Sequence, residues 1–368
     1  MKKALATLLI ASMAIASLAA CGGTSSSTAG TAETTVNESS VSENTASADT
    51  SAQDENNADT SVSGNSKAET PTADSSVADT SEAEEADEEN YETGDASLDN
   101  PRNQDDIGEN ELLVVSFGTS FNDSRRNTIG AIEDALEKAF PDWSVRRAFT
   151  SQIIIDHVKS RDGEEIDNVK EALDRAVANG VKKLVIQPTH LMNGLEYTDL
   201  TEEVSQYADA FEKISIGEPL LSSDEDFKSV EEAITGATST YDDGQTAIVF
   251  MGHGTEADSN AIYAKMQENL KADKFENYYI GTVEATPSVN DVLELVKAGD
   301  YKRVVLRPLM VVAGDHANND MAGEEADSWL NMFKAAGFEK VDAQIAGMGS
   351  IPAIQQIYVE HAGEVVNE

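Results

Sequence analysis

The sequence contains one apolar strand pattern twice. Lys182 to Glu196 reads KKLVIQPTHLMNGLE, and Lys302 to His316 reads KRVVLRPLMVVAGDH, 120 residues later. Pro188 falls on Pro308 and Gly194 on Gly314, whereas the final residues differ, Glu196 against His316. A duplicated strand that ends in a ligand-type side chain predicts two similar half-domains facing each other across a cleft. The likeness extends upstream. LLVVSFGTS (Leu112–Ser120) and AIVFMGHGTE (Ala247–Glu256) align Gly118 with Gly254, which puts Phe117 opposite His253.

Short β-rich runs alternate with amphipathic stretches from Glu111 onward. Strands are expected at Leu112–Ser116, Val145–Thr150, Lys183–Gln187, Lys213–Ile216, Thr246–Met251, Tyr278–Val283, Arg303–Pro308 and Val341–Ile345. Between them, Ile129–Phe140, Asn168–Asn179, Leu200–Phe211, Val289–Ala298 and Ala326–Ala336 read as helices. Val169, Ala172, Leu173 and Ala176 form an i, i+3, i+4, i+7 stripe, as on a helix packed against a sheet. The expected fold class is α/β: two doubly wound parallel-sheet half-domains, 111–239 and 240–368, with ligands bound beyond the carboxyl ends of the strands.

The first 110 residues follow another logic. Lys2 and Lys3 precede an apolar run to Ala20 and then Cys21, the only cysteine. Residues 1–21 therefore read as an export signal. Leu18-Ala19-Ala20-Cys21-Gly22 resembles the bacterial lipoprotein signal, which implies lipid on Cys21 and an exported, membrane-anchored protein; an ordinary cleaved signal is the alternative. Residues 22–110 are rich in Ser, Thr, Ala and acids and read as a disordered tether. They carry about half of the net charge of −42. Such acidity excludes nucleic acid as a partner, because no basic footprint is present. With one cysteine, the folded part contains neither an internal disulfide nor a thiolate site.

The chemistry gathers at strand ends. His253 sits between two glycines after one strand, Glu284 follows the next, and His316 follows the second repeat copy. Two imidazoles and a carboxylate suit a borderline divalent cation and leave positions for exchange. Each also has a plainer reading: a turn histidine, a solvated carboxylate and a helix cap. Glu196 is placed by the repeat on the opposite wall. Ser116, Thr119 and Ser120, with Phe117, form a hydroxyl-rich loop that offers groups to ligand carboxylates, or simply a polar turn. His190 reads as structural or cleft-lining, His157 as packing, and His361 as a surface residue of a C-terminal helix.

With these residues in view, the chain resembles the class II chelatases, specifically the anaerobic sirohydrochlorin cobaltochelatases of cobalamin biosynthesis. The resemblance rests on LLVVSFGTSF (112–121), RAFTSQII (147–154), RDGEEID (161–167), IGEPLLSS (216–223), VFMGHG (249–254), VEATP (283–287) and PLMVVAGDHANNDMAGEEADSW (308–329). It implies a bilobal fold with the tetrapyrrole, sirohydrochlorin or a relative, between the lobes. It implies Co2+ as substrate metal on His253, Glu284 and His316, and His253 as proton acceptor. Glu196 matches a further acidic cleft position. No organic cofactor is implied. Fe2+ or Ni2+ fits the same ligands, and the sequence leaves homo-oligomerisation open. The export signal and tether depart from the family pattern. They keep two alternatives in play, capture of a tetrapyrrole, haem or metal at the cell surface, and removal of metal from an acquired ring.

Overall fold

The computed structural model describes residues 93–105 and 107–367; the segments expected to be an export signal, with Cys21, and, up to residue 92, a tether lie outside the described residues. The first sheet comprises β1 (Asn110–Ser116), β2 (Ser144–Phe149), β3 (Asp167–Asn168), β4 (Lys183–Pro188) and β5 (Lys213–Ile216). The second comprises β6 (Thr246–Gly252), β7 (Tyr278–Thr282), β8 (Arg303–Pro308) and β9 (Lys340–Ala343). All pairings between these strands are parallel, in the orders β3-β2-β1-β4-β5 and β7-β6-β8-β9. The connecting helices are α1 (Asn122–Arg125), α2 (Ala131–Ala139), α3 (Gln152–Asp162), α4 (Val169–Ala178), α5 (Leu195–Ser205), α6 (Asp224–Thr238), α7 (Ala261–Ala272), α8 (Val289–Ala298), α9 (Trp329–Ala335) and α10 (Pro352–Val366). A π turn, Arg126–Gly130, joins α1 to α2.

The internal repeat is visible as register. Val115 pairs with Pro188 in the first sheet, and Met251 pairs with Pro308 in the second. One residue on, Thr189 N–H donates to the Val115 carbonyl at 2.8 Å, and Leu309 N–H to the Met251 carbonyl at 2.7 Å. The order in which strands are added reverses between β1 and β4 and again between β6 and β8, so each sheet has a switch point beyond its central strand.

The central strands are buried on both faces, as parallel strands between helices must be. Leu112 and Val114 of β1 share one apolar core with Ile248 and Phe250 of β6, whereas Leu113 and Ala247 face separate outer cores. The two half-domains are thus joined through a common interior. Helix α10 reinforces this. Although it follows β9, it packs on α2, α6 and β4 of the first lobe. Ile354 and Ile357 are buried there, each contributing about 1.5–3 kcal/mol relative to exposure. Buried Tyr358 donates its hydroxyl to the Thr189 carbonyl at 2.8 Å. Helix starts obey local chemistry: Asn168 with Glu171, Ser223 with Asp226 and Ser288 with Asp291 form capping boxes.

Three expectations are corrected. Ordered structure begins well before Glu111: residues 93–105 pack on the first lobe, with Thr93 and Arg102 buried. Charge keeps them there, since Arg102 pairs with Glu133 and Asp99 with Arg125 and Arg147. The helix expected at Leu200–Phe211 runs over Leu195–Ser205 instead, because the chain turns into helix directly after Gly194. His361 is buried rather than on a surface; its Nε2 lies 2.9 Å from Asp226 Oδ1 and its Nδ1 3.1 Å from the Glu218 carbonyl. No helix among the described residues is long and apolar enough to cross a membrane.

Candidate metal centre

Strand β6 delivers His253 to the carboxyl end of the second sheet, and the surrounding glycines are sterically required. A Cβ on Gly252 would lie 2.2 Å from the Tyr263 ring, and one on Gly254, at φ +92°, 2.8 Å from the Ala285 nitrogen. The turn is then tied to its neighbours by backbone. Glu284 N–H donates to the His253 carbonyl at 2.8 Å, and Gly254 N–H donates to the Tyr263 hydroxyl at 3.2 Å. This brings the loop after β7, with Glu284, against the loop after β6. His316 arrives from β8 through the loop Leu309–Asp315 and precedes a π turn, Ala317–Met321.

The three side chains converge. One ligand atom from each of His253, Glu284 and His316 lies within 4.8 Å of the others. The imidazole rings meet edge to face with centroids 4.7 Å apart, and His253 Nδ1 is 3.5 Å from Glu284 Oε2. Each histidine has Nδ1 occupied: that of His253 lies 2.8 Å from the Gly254 carbonyl, and that of His316 lies 2.7 Å from Asp320 Oδ2. A carbonyl or carboxylate oxygen there requires Nδ1 to carry the proton. Both Nε2 lone pairs are therefore the ones available to a cation.

Burial alone disfavours the charged form of His316. The Asp320 carboxylate outweighs it, with help from Glu284 and Asp315, and holds the pKa above the usual histidine value. The Glu284 side chain is 37% exposed and that of His253 46%, so these two groups stay in contact with solvent. Asp315, His316 and Asp320 form a second ligand-type group that shares His316.

The first lobe supplies the other wall. Phe117 follows β1 as His253 follows β6, and its side chain is partly exposed. Glu196 lies exposed in the first turn of α5, and its charge helps to raise the pKa of Tyr263, which burial raises most. It is thus placed near the His253 turn but outside the converging ligand group. The loops touch as well: Ala313 N–H donates to Ser124 Oγ at 2.9 Å, and a Cβ on Gly314 would lie 3.3 Å from Thr119 Oγ1.

Other expected site residues are corrected by burial. The Ser116 hydroxyl is buried and bonded to Thr189 Oγ1 at 2.7 Å, Thr119 accepts from Phe121 N–H, and Ser120 is buried. The hydroxyl-rich loop therefore organises itself more than it offers side chains to a ligand. His190 is buried with neither ring nitrogen hydrogen-bonded, and burial pushes its pKa down to about 4, so it is neutral and structural. For His157, burial and then Arg161 lower the pKa within α3, apart from the site. Sequence reasoning did not reach Asp320 or Tyr263. The i, i+4 spacing of His316 and Asp320 was a usable signal, whereas Tyr263 had none.

A two-lobed parallel α/β protein with two imidazoles and a carboxylate at the interlobe strand ends is of the chelatase class. Residues 110–367 match the model of the cobalt chelatase (CbiK) family, and the chain belongs to that family. It is 38% identical over 256 residues to the sirohydrochlorin cobaltochelatase of Salmonella typhimurium, covering 70% of this chain and 96% of that one. It is 27% identical over 258 residues to the sirohydrochlorin cobaltochelatase CbiKC of Nitratidesulfovibrio vulgaris, covering 70% and 90%. The solved structure of SirB from Bacillus subtilis with Fe3+ shares the fold, with a TM-score of 0.50 at 15% identity over 70% of this chain and 96% of that one.

Proposed function

We propose that the protein is a sirohydrochlorin cobaltochelatase that inserts Co2+ into the tetrapyrrole on the anaerobic route to cobalamin. The observation that carries this reading is the convergence of His253, Glu284 and His316 within 4.8 Å at the cleft. With both Nδ1 atoms engaged, His253 Nε2, His316 Nε2 and a Glu284 oxygen hold the cation and leave its remaining positions to water and then to ring nitrogens.

Insertion must remove two pyrrole protons while exchanging protein ligands for ring nitrogens. Only one His253 nitrogen is free, so its two roles are sequential. Nε2 holds the cation first, releases it as metal–ring bonds form, and then accepts a pyrrole proton. Glu196, exposed on the opposite wall, is placed to take the other. Phe117 offers an apolar face to the macrocycle. The donor set also admits Fe2+ or Ni2+. The test is absorption spectroscopy of sirohydrochlorin with each metal and the purified protein. Catalysed insertion, fastest with Co2+, is expected; a rate no greater than the uncatalysed one rejects the reading.

The lipoprotein-type signal at Cys21 and the acidic tether support an exported, lipid-anchored form. Palmitate labelling that disappears in Cys21→Ser is the expected result, and labelling that persists there rejects it. The same two features favour a second reading, surface capture of a tetrapyrrole, haem or metal without turnover. Multiple turnovers per protein molecule reject capture.

A further inference from the structure

We propose that residues 93–105 form a strap that positions the first-lobe cleft loop, Phe117–Asn122, with Asp99 as the positioning residue. This segment lies outside the family-matched region, which begins at residue 110. Its short 3-10 turn, Ala96–Leu98, buries no residue, and Leu98 is exposed, so apolar burial does not hold it. Polar contacts do. The Asp99 carboxylate accepts from Arg125 Nε at 2.8 Å and from the Arg147 guanidinium at 2.6 Å, with all three side chains almost fully buried.

From Asp99 the contacts run to the cleft loop. The Arg125 guanidinium also donates to the Thr119 carbonyl at 3.3 Å and to Glu164 at 2.8 Å. Arg125 is thus fixed from two sides by carboxylates, and it fixes the loop backbone in turn. The outer end of the strap grips the far end of the same loop. Asn122 Nδ2 donates to the Gly94 carbonyl at 3.2 Å, and Asp123 N–H to the Thr93 carbonyl at 2.7 Å. The inner end closes the sheet where β3 is too short to do so: Arg147 N–H donates to the Arg102 carbonyl at 3.2 Å.

Removing the Asp99 charge leaves Arg125 and Arg147 short of an acceptor in a buried setting, which relaxes toward solvent and carries the loop with it. The ligand residues His253, Glu284 and His316 belong to the other lobe. A selective effect on the tetrapyrrole wall follows. That part rests on the chelatase reading; the loop-positioning part does not.

The test uses the full-length chain carrying Asp99→Asn. Amide hydrogen exchange across residues 117–122 should accelerate while that of β6 and β8 is unchanged. Sirohydrochlorin binding should weaken by about tenfold, the scale of one lost charged hydrogen bond, with Co2+ affinity retained. Should Asp99→Asn fail to fold, Gly94→Ala decides. It forces a Cβ to 2.4 Å from the Asp123 carboxylate at an exposed position with φ +97°, and should act in the same direction. Unchanged loop exchange overturns the strap. Equal loss of Co2+ and sirohydrochlorin binding also overturns it, because that marks general destabilisation. If the wild type binds no sirohydrochlorin, the chelatase reading fails, and loop exchange still decides the strap.

Discussion

The two lobes begin from one design and end in different chemistry. Val115–Pro188 and Met251–Pro308 are the same pairing made twice. Beyond them, Ser151 N–H donates to the Phe117 carbonyl at 3.2 Å, as Glu284 N–H does to the His253 carbonyl at 2.8 Å. The backbone therefore places Phe117 and Ser151 of the first lobe where the second has His253 and Glu284, and the sequence repeat aligns Glu196 with His316. Ser151 spends its hydroxyl on capping α3, and Phe117 presents an aromatic face. On a shared scaffold, one wall thus gathers the ligand-type groups and the other presents an aromatic side chain.

The sharpest way to break this contrast is His253→Ala, which should lower kcat/KM for Co2+ insertion by at least about 100-fold in a steady-state assay, since it removes both ligand and base. Full activity in that variant would refute the site. His316→Ala should retain the fold and weaken Co2+ binding by calorimetry by about 100-fold or more, a larger effect than an outer-shell loss produces. Unaltered affinity would return His316 to a helix-start role.

Asp320→Asn comes next. By removing the carboxylate that orients His316, it should weaken Co2+ binding about 10- to 100-fold. The pH dependence has a defined sign. His316 has a raised folded pKa, so its ion pair with Asp320 stabilises the fold fully below the unfolded histidine value and is lost as pH rises through the folded one. Cobalt competes with that proton, so binding should strengthen as pH rises through the same range. Asp320→Asn should shift the midpoint of a binding-versus-pH curve downward; an unmoved midpoint would exclude the pair from metal binding. The smallest effect is expected on the other wall. Phe117→Ala should raise KM for sirohydrochlorin about tenfold or less, the value of one aromatic contact, with Co2+ affinity unchanged. An effect on Co2+ instead would reverse the division of labour.

Much of this was legible in the chain. Strand positions could be read because buried parallel strands need continuous β-branched and aliphatic runs, as in Leu112–Val115 and Ile248–Met251. The convergence of His253, Glu284 and His316 could be read because the ends of neighbouring parallel strands meet at one edge of the sheet. The hydroxyl loop misled because composition does not reveal that Ser116 and Thr189 satisfy each other inside the sheet. The start of the folded part misled because residues 93–105 look like the acidic tether; the charges of Asp99 and Arg102 find their partners more than 25 residues away.

The sequence by itself determined the two-lobed parallel architecture, the candidate ligand trio and the family, because periodicity, glycine placement and repeat register are local properties of the chain. Only the tertiary structure decided that both histidines have Nδ1 engaged, by the Gly254 carbonyl and by Asp320, that α10 crosses back to the first lobe, and that a charged segment underlies the cleft loop. Those features depend on which distant hydrogen-bond and charge partners meet in space. The spacing of residues along a chain does not specify such meetings.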